Sequence, residues 1–280
     1  PQVIVGTPGR MNDHLNKGNI DASHVHTLVI DEFDKCLEMG FQEEMSEVIV
    51  QIPYLKRRFL LSATDAPAIP RFVSEGDFLK LNFLEDEEQI PERIKVYTVK
   101  SPEKDKLEVL SKLLCYLGDK SSLVFVNYRE SVERVYRYLL QAGISCEMFH
   151  GGMEQKDRER ALYKFSNGSC NVFVSTDLAA RGLDIPNIDH VIHYHLPLNE
   201  DAYIHRNGRT ARWDASGNVF LILGPEEYLP EFIQQIPEDY VWEGPKPDPA
   251  KPQWVTLYIG KGKKDKINKV DIVGFLSKVG

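Results

Sequence analysis

Short, continuously apolar segments alternate with amphipathic helical segments along most of this 280-residue chain. Residues 130–142 show the helical pattern, with Val132, Val135 and Leu139 recurring at helical spacing. Apolar strands separated by such helices are typical of a parallel sheet covered on both faces. We therefore predict an α/β protein with strands at residues 26–30, 57–61, 94–99, 122–126, 144–149, 171–175, 189–193 and 218–223. The apolar run Val3-Ile4-Val5 is also typical of a buried strand.

Two polar segments interrupt this alternation and divide the chain. Residues 85–93 begin with four consecutive acids and contain Pro91, a composition typical of an exposed linker. The four prolines of residues 244–252 favour an extended, semi-rigid spacer. We expect a first lobe over residues 1–84, a linker over 85–93, a second lobe over 94–240, a Pro-rich linker over 241–253 and the start of a further domain over 254–280.

Composition excludes several classes of protein. The longest apolar runs are far too short to span a bilayer. The four cysteines are scattered without a Cys-x-x-Cys pair, which argues against a zinc site or a disulfide framework and predicts a cytoplasmic location. The net charge of −8 does not favour nucleic acid as a partner. A nucleic-acid function must therefore depend on local basic clusters and motifs.

The sharpest local signal is the acidic tetrad Asp31-Glu32-Phe33-Asp34, which directly follows a predicted strand. Ligands of α/β sheets bind at the carboxyl ends of strands. A carboxylate there can hold Mg²⁺ through water, and the next one can orient or deprotonate an attacking water. The same acids also suit the solvated start of a helix, where the helix dipole favours them. The tetrad alone supports both interpretations equally.

Four further clusters accompany the tetrad, and the first three of them follow predicted strands. Each cluster is weak alone, but their order and placement form a specific set. In chain order they are Thr7-Pro8-Gly9-Arg10, Ser62-Ala63-Thr64, the string from Ser175 to Asp184 and the string from His205 to Arg212. The last of these is predicted to place two arginines three residues apart on one helical face.

Together these motifs resemble the DEAD-box family of ATP-dependent RNA helicases over roughly residues 3–225. The resemblance implies two RecA-like lobes, the first of them partial, and ATP and Mg²⁺ as cofactors. Asp31 would hold Mg²⁺ through water, Glu32 would activate water, and Arg209 and Arg212 would act as arginine fingers. ATP binding and coupling would involve Asp34, Ser62, Thr64, Asp184, His205 and Arg206. RNA would contact Thr7, Gly9, Arg10, Asn127, Gln155, Arg158 and Thr176.

The chain departs from the family pattern at four residues and in one loop. Two of these residues, Asn207 and Ala211, stand where an aliphatic residue and Gly are usual. Phe33 stands where Ala is usual, which changes a packing contact, and His195 stands where Asp is usual, which puts a polar contact in doubt. No Gly-x₄-Gly-Lys-Ser/Thr sequence occurs, although that loop would bind the phosphates. Because the chain begins at Pro1 inside an apolar run, we expect a fragment that hydrolyses ATP poorly by itself.

Residues 254–280 combine a predicted strand over 254–259, a lysine-rich stretch over 261–269 and a predicted helix from Val270. This order resembles the opening of the small α+β RRM-like RNA-binding domain of the bacterial DbpA helicase subfamily. It implies a structured RNA partner, with ribosomal RNA as the expected target. A lysine run is, however, more often a solvated face than a binding site.

The leading hypothesis is thus an ATP-dependent RNA helicase that acts on short duplexes or on RNA–protein contacts, expected as a monomer. A second hypothesis is a non-catalytic RNA-binding scaffold with a vestigial ATP site, which the retained acids and arginines oppose. A third is a DNA helicase of the same superfamily, which the motif details disfavour.

Overall fold

The computed structural model describes residues 1–62, 69–73, 78–82, 94–180, 188–210 and 216–279. The predicted linker over residues 85–93 lies outside these ranges. The chain divides into two compact units, Pro1–Glu88 and Gln89–Gly280, which are described separately. Across the described ranges, every helix is too short or too polar to cross a membrane.

The first unit contains a two-stranded parallel sheet with helices beside it. In chain order its elements are α1 (Pro8–Asn16), β1 (Thr27–Ile30), α2 (Phe33–Glu38), α3 (Gln42–Val50) and β2 (Arg57–Leu60). The strands pair with Val29 opposite Phe59. Helix α1 packs against α3, where the buried Asn12 amide donates to the Glu44 carbonyl at 2.9 Å and to Glu47 Oε2 at 2.9 Å.

The predicted strand at Val3-Ile4-Val5 was wrong, since these residues form no strand and all three are exposed. A strand requires a neighbour with unpaired backbone groups. Within the described residues of this unit, the sheet consists of β1 and β2, and these two pair with each other.

The second unit is built around a seven-stranded sheet in the order β5-β6-β4-β7-β8-β3-β9, and every neighbouring pair of strands is parallel. Parallel neighbours require crossover connections, which the intervening helices provide. The elements are β3 (Ile94–Lys100), α4 (Leu107–Leu117), β4 (Ser122–Phe125), α5 (Arg129–Gln141), β5 (Cys146–Phe149), α6 (Gln155–Ser166), β6 (Val172–Ser175), α7 (Asp177–Ala180), β7 (His190–His193), α8 (Glu200–Asn207), β8 (Gly217–Leu223), β9 (Glu238–Asp239) and α9 (Lys269–Val279).

Helices cover both faces of this sheet, as the continuous apolar strands predict. One core packs Val124 and Val174 of the sheet against the leucines of α4 and the valines of α5. The other core packs the alternate strand residues Phe125 and Phe173 against Phe165 of α6 and its neighbours. Because side chains alternate across a strand, apolar residues at every position serve both cores. The predicted α/β fold class with a covered parallel sheet is confirmed.

The predicted strand over residues 254–259 was wrong, because these residues form no strand ladder, while the predicted helix forms as α9. The alternating side chains of this segment lack a partner strand, and Trp254 and Val255 are 65% and 90% exposed. The preceding Pro-rich segment contacts the second unit. The Tyr116 hydroxyl donates to the Gly244 carbonyl at 2.7 Å.

Candidate functional site

The acidic tetrad turns the chain from β1 into α2. Glu32 has φ 47° and ψ 47°, a left-handed conformation that costs an L-residue about 1–2 kcal/mol. Oδ1 of Asp31 accepts the Glu32 backbone N–H at 3.0 Å. Asp31 is exposed and Glu32 half-buried, whereas Phe33 and Asp34 are buried. The turn thus leaves the first two acids accessible while the next two residues pack into the unit.

Backbone hydrogen bonds bring Ser62 to this turn. The Leu61 N–H donates to the Ile30 carbonyl, and the Leu61 carbonyl accepts the Phe33 N–H, both at 2.9 Å. Ser62 follows directly and is exposed. The structure therefore places Ser62 beside the tetrad, while Thr64 lies outside the described residues.

The carboxylates at this turn fit a Mg²⁺ ion held chiefly by phosphate oxygens and water. Mg²⁺ keeps several of its waters and usually takes one or two protein carboxylates together with substrate phosphates. The exposed Asp31 offers such a carboxylate at the end of a strand. Within the described ranges, no group of three or more His, Cys, Asp or Glu side chains could enclose a metal.

The segment from Thr7 to Arg10 forms the start of α1. Thr7 is the extended N-cap residue, Pro8 occupies the first helical position, and the Thr7 carbonyl accepts the Met11 N–H at 2.9 Å. Arg10 is exposed and lies 3.6 Å from Asp13. Among the described residues, no atom other than those of its chain neighbours and its own helix backbone lies within 4 Å of where a Cβ on Gly9 would stand, so this surface is open. The contacts described above attach the helix to α3.

In the second unit, Arg206 is the centre of a buried hydrogen-bond network. Its side chain is 1% exposed and forms a bidentate ion pair with Asp177, with Nε–Oδ1 and Nη2–Oδ2 distances of 2.6 and 2.7 Å. Nη2 also donates to Asn127 Oδ1 at 2.8 Å, and Nη1 donates to the His195 carbonyl at 2.7 Å and faces His193 Nδ1 at 3.3 Å. All five guanidinium N–H groups are thus engaged within the unit. Arg206 therefore fixes the positions of the polar groups that surround it.

Two neutral histidines complete the network. Burial, reinforced by the charge of Arg206, lowers the pKa of His193 to about 3. Because His193 Nδ1 faces a guanidinium donor, Nε2 carries the proton and donates to Asn207 Oδ1 at 2.9 Å. Burial likewise lowers the pKa of His195 to about 4, and its Nδ1 accepts the Asn127 backbone N–H at 3.1 Å. The departure at His195 thus supplies a polar contact to Asn127.

A cavity of about 460 Å³ opens at the carboxyl ends of β5 and β6. It brings together three residues predicted to contact RNA, namely Gln155, Arg158 and Thr176. Arg158 Nη2 donates to the Gly151 carbonyl at 2.7 Å, which braces the turn before α6. Arg129 also lines the cavity, and a Cβ on Gly151 would stand 3.1 Å from its Nη2.

The last motif ends its helix earlier than predicted. Helix α8 ends at Asn207, so Arg209 does not lie on this helix, contrary to the prediction of a helical face. Arg209 lies in the turn after the helix, where its N–H donates to the Arg206 carbonyl at 3.2 Å. His205 and Arg209 are half-buried. Asp184 and Arg212 lie outside the described residues.

Sequence reasoning missed the roles of Asp177, His193 and Asn207. Asp177 follows Thr176 inside a string that had been recognised, so an acid facing the buried arginine could have been sought there. The pairing of His193 with Asn207 leaves no comparable signal, because the two residues belong to different elements.

Two family models match the chain in succession. The family described as "DEAD/DEAH box helicase" matches residues 1–71, and the "Helicase conserved C-terminal domain" matches residues 105–214. Among solved structures, S. cerevisiae Dbp5 bound to RNA and ADP BeF3 aligns with a TM-score of 0.70 and 28% identity. That alignment covers 80% of this chain and 60% of the Dbp5 chain.

Curated relatives agree with this match. ATP-dependent RNA helicase DbpA of Escherichia coli (strain K12) is 34% identical over 285 residues, which cover 99% of this chain and 62% of the relative. DEAD-box ATP-dependent RNA helicase CshA of Geobacillus kaustophilus (strain HTA426) is 36% identical over 231 residues, or 81% of this chain and 49% of the relative. The chain thus spans less than two thirds of either relative. With its two RecA-like units, it belongs to the DEAD-box family of helicases.

Proposed function

We propose that this protein is an ATP-dependent RNA helicase, which couples RNA-stimulated ATP hydrolysis to local separation of RNA duplexes or to remodelling of RNA–protein contacts. Family membership and relatives that are named ATP-dependent RNA helicases support this proposal. The observation that carries it is the Arg206 network, which joins Asn127 and Asp177, beside the predicted RNA contacts, to the end of α8.

In the first unit, we propose that Glu32 orients the attacking water and that Asp31 holds Mg²⁺ through water. Mg²⁺, when bound with ATP, supplies positive charge that offsets the negative charge of the phosphates. The left-handed turn supports these roles, since backbone strain of this kind clusters at functional sites. Ser62, beside the tetrad, would communicate the state of this turn to the rest of the unit, together with Asp34 and Thr64.

In the second unit, we propose that Arg209 and Arg212 are arginine fingers, assisted by His205 and Asp184. Such a finger contributes about 10³–10⁵ in rate. The buried Arg206 has no free donor for nucleotide, so we assign it a positioning role instead. Since the acids and the arginines belong to different units, hydrolysis would require both.

RNA would lie along the cavity lined by Gln155, Arg158 and Thr176, with Asn127 nearby and with Thr7, Gly9 and Arg10 as contacts on the first unit. Hydrogen bonds from polar side chains and a few cations suit the sugar-phosphate backbone rather than base edges. We therefore propose binding that depends little on base sequence in this part of the chain.

We further propose a structured RNA, with ribosomal RNA as the target to test first. The DbpA match covers 99% of the chain and so includes the segment after residue 240, whereas the CshA match covers 81%. The four free cysteines are compatible with the proposed cytoplasmic location. We propose that the protein acts as a monomer, which light scattering of the purified chain would test.

The catalytic proposal is tested with Glu32→Gln in a form of the protein that also carries a Gly-x₄-Gly-Lys-Ser/Thr loop. RNA should stimulate ATP hydrolysis in the parent form, and Glu32→Gln should lower the stimulated rate by about 10²–10⁴. Glu43→Gln removes an exposed acid of α3 and is the matched control. The non-catalytic scaffold would be favoured if the parent form binds RNA, if RNA does not stimulate its ATP hydrolysis, and if Glu32→Gln does not lower the rate.

The RNA proposal is tested on the 280-residue chain by measuring the Kd for a fluorescent single-stranded RNA at several salt concentrations. Arg158→Gln should weaken binding and reduce the salt slope by about 0.7, the value for one phosphate contact on a single strand. Arg137→Gln, an exposed substitution on α5, should leave the slope unchanged. Equal affinity for RNA and DNA of the same sequence would instead favour the DNA-helicase hypothesis.

A further inference from the structure

Three aromatic rings are in contact where β4 and β7 end. Tyr194 and His195 follow β7, and Tyr128 follows β4. The His195 ring centroid lies 5.0 Å from that of Tyr194 and 6.1 Å from that of Tyr128, and the His195 and Tyr128 rings meet edge to face at 64°. Tyr194 is 4% exposed, His195 is half-buried and Tyr128 is 61% exposed. The rings therefore form a row that leads from the interior of the second unit to its surface.

The inner two rings of this row are fixed by polar contacts. The Tyr194 hydroxyl donates to Asp105 Oδ1 at 3.5 Å, and Lys106 Nζ lies 5.4 Å from the Tyr194 ring centroid. His195 is held through its Nδ1, which accepts the Asn127 N–H at 3.1 Å. Edge-to-face contact is a preferred arrangement of aromatic pairs. Tyr128 thus presents an exposed ring whose inner edge is supported by a fixed neighbour.

Tyr128 and Arg129 reach in opposite directions along the row of strand ends. The sheet order is β5-β6-β4-β7, so β4 lies between the cavity and the end of β7. The Tyr128 ring lies beside His195, after β7. Arg129 lines the cavity, and its Nη2 would stand 3.1 Å from a Cβ on Gly151, after β5. A cation therefore faces the cavity and an aromatic ring stands on its other side.

The distance between these two places suits a short length of RNA. Neighbouring strands of a sheet lie about 4.8 Å apart, so the end of β7 is about 10 Å from the end of β6, where Thr176 lines the cavity. A stacked nucleic-acid strand advances about 3.4 Å per nucleotide. A strand with phosphates along the cavity would thus reach the Tyr128 ring within about three nucleotides.

We propose that the exposed ring of Tyr128 is a stacking site for one nucleobase of the RNA strand whose phosphates lie along the cavity. Every base has a π-face, so the site accepts any base and agrees with binding that depends little on base sequence. The proposal rests on the proposed RNA-binding function and adds a base contact to it.

A single exposed aromatic side chain is ordinary on a protein surface. Tyr128 differs because His195 supports its ring and because it directly follows Asn127, a predicted RNA contact. A base that stacks on Tyr128 leaves the continuous stack of its own strand. The site should therefore favour single-stranded RNA over a duplex.

The test compares two ligands of the 280-residue chain, a fluorescent single-stranded RNA and an oligomer of the same length in which every nucleotide lacks its base. The second ligand keeps all of the phosphates and riboses. Tyr128→Ala should weaken binding of the intact RNA by about 5- to 100-fold, the range for one stacked base, and should leave the Kd for the abasic oligomer unchanged. Tyr128→Phe keeps the ring and should bind both ligands as the parent chain does.

Tyr54→Ala is the matched control, because Tyr54 is 58% exposed and lies in the first unit before β2. It should not change either Kd. Salt dependence separates stacking from charge. Tyr128→Ala should leave the salt slope unchanged, whereas Arg129→Gln should reduce it by about 0.7, the value for one phosphate on a single strand.

Two further measurements keep the test decisive. The ratio of the Kd for a blunt RNA duplex to the Kd for the single strand should fall in Tyr128→Ala by the same factor as its affinity for the intact strand. The urea midpoint should stay close to that of the parent chain, since Tyr128 is 61% exposed. If it falls, Tyr128→Leu, which keeps an apolar contact for His195, takes the place of Tyr128→Ala and should show the same selective loss.

The outcomes distinguish this proposal from the function on which it rests. The stacking site is overturned if the parent chain binds both ligands equally, or if Tyr128→Ala weakens both equally or neither. It is also overturned if Tyr128→Phe binds the intact RNA as weakly as Tyr128→Ala. A parent chain that binds neither ligand at low salt overturns the proposed RNA-binding function itself.

Discussion

The ion pair between Arg206 and Asp177 should dominate the stability of the second unit near the site. In Asp177→Asn, the guanidinium would remain buried without a counter-charge. Removing one partner of a buried pair costs about 3–5 kcal/mol. Asp177 is 26% exposed, and Arg206 keeps its bonds to Asn127 and to the His195 carbonyl. We therefore expect a loss near the lower limit, about 3 kcal/mol.

Tryptophan fluorescence during urea unfolding measures this loss in the correct unit, because all three tryptophans follow residue 88. For a unit of this size, the free energy of unfolding falls by about 2–3 kcal/mol per molar urea. The midpoint of Asp177→Asn should therefore lie roughly 1–1.5 M below that of the parent chain, with an unchanged slope.

Glu133→Gln is the matched control, since Glu133 pairs with Arg137 at 3.2 Å with side chains 47% and 69% exposed. An exposed pair of this kind contributes about 0.5 kcal/mol or less. If the two variants shift the midpoint equally, Arg206 does not depend on Asp177 for its position, and the positioning role assigned to it is refuted.

Two further predictions use the same assay. The pKa values of His193 and His195 in the folded unit lie below the value of about 6.5 in the unfolded chain, so the unfolded chain binds more protons below that pH. The free energy of unfolding should therefore fall by about 1.4 kcal/mol per histidine between pH 7.5 and pH 5.5. A urea midpoint that is the same at both pH values would contradict this. A methyl group in Gly217→Ala would collide with the buried Thr210 and should cost about 1–3 kcal/mol. Gly274→Ala, where a Cβ meets no atom within 4 Å, should cost nothing, and equal midpoints for the two alanine variants would exclude the collision.

The sequence predicts most of the second sheet well, because β4, β6 and β7 are buried along their whole length. It does not predict β9, because Glu238–Asp239 is a pair of exposed acids. The failures at residues 3–5 and 254–259 have a common cause. Alternation or apolarity shows that a segment can form a strand, but pairing depends on a neighbour that the segment itself does not specify. The packing of residues 244–256 on the second unit was not predicted for the same reason. Tyr116 and Asn167, which contact this segment, are distant from it in sequence.

The candidate site was predicted as a set of residues, not as an arrangement. The tetrad and Ser62 could be placed together, since the carboxyl ends of neighbouring parallel strands share one edge. The burial of Arg206 could not, because an arginine between two polar residues has the pattern of a surface cation. Its place in the interior depends on Asp177, which lies 29 residues earlier, and on the carbonyl of His195, which lies just after β7.

The left-handed conformation of Glu32 has a consequence for directed evolution. Glycine occupies that region without strain and asparagine with little, so either residue at position 32 would relieve backbone strain at the end of β1. A library selected for expression or heat resistance should enrich both. Each would discard the carboxylate proposed to orient water, so selection for robustness alone would lead away from catalysis at this position.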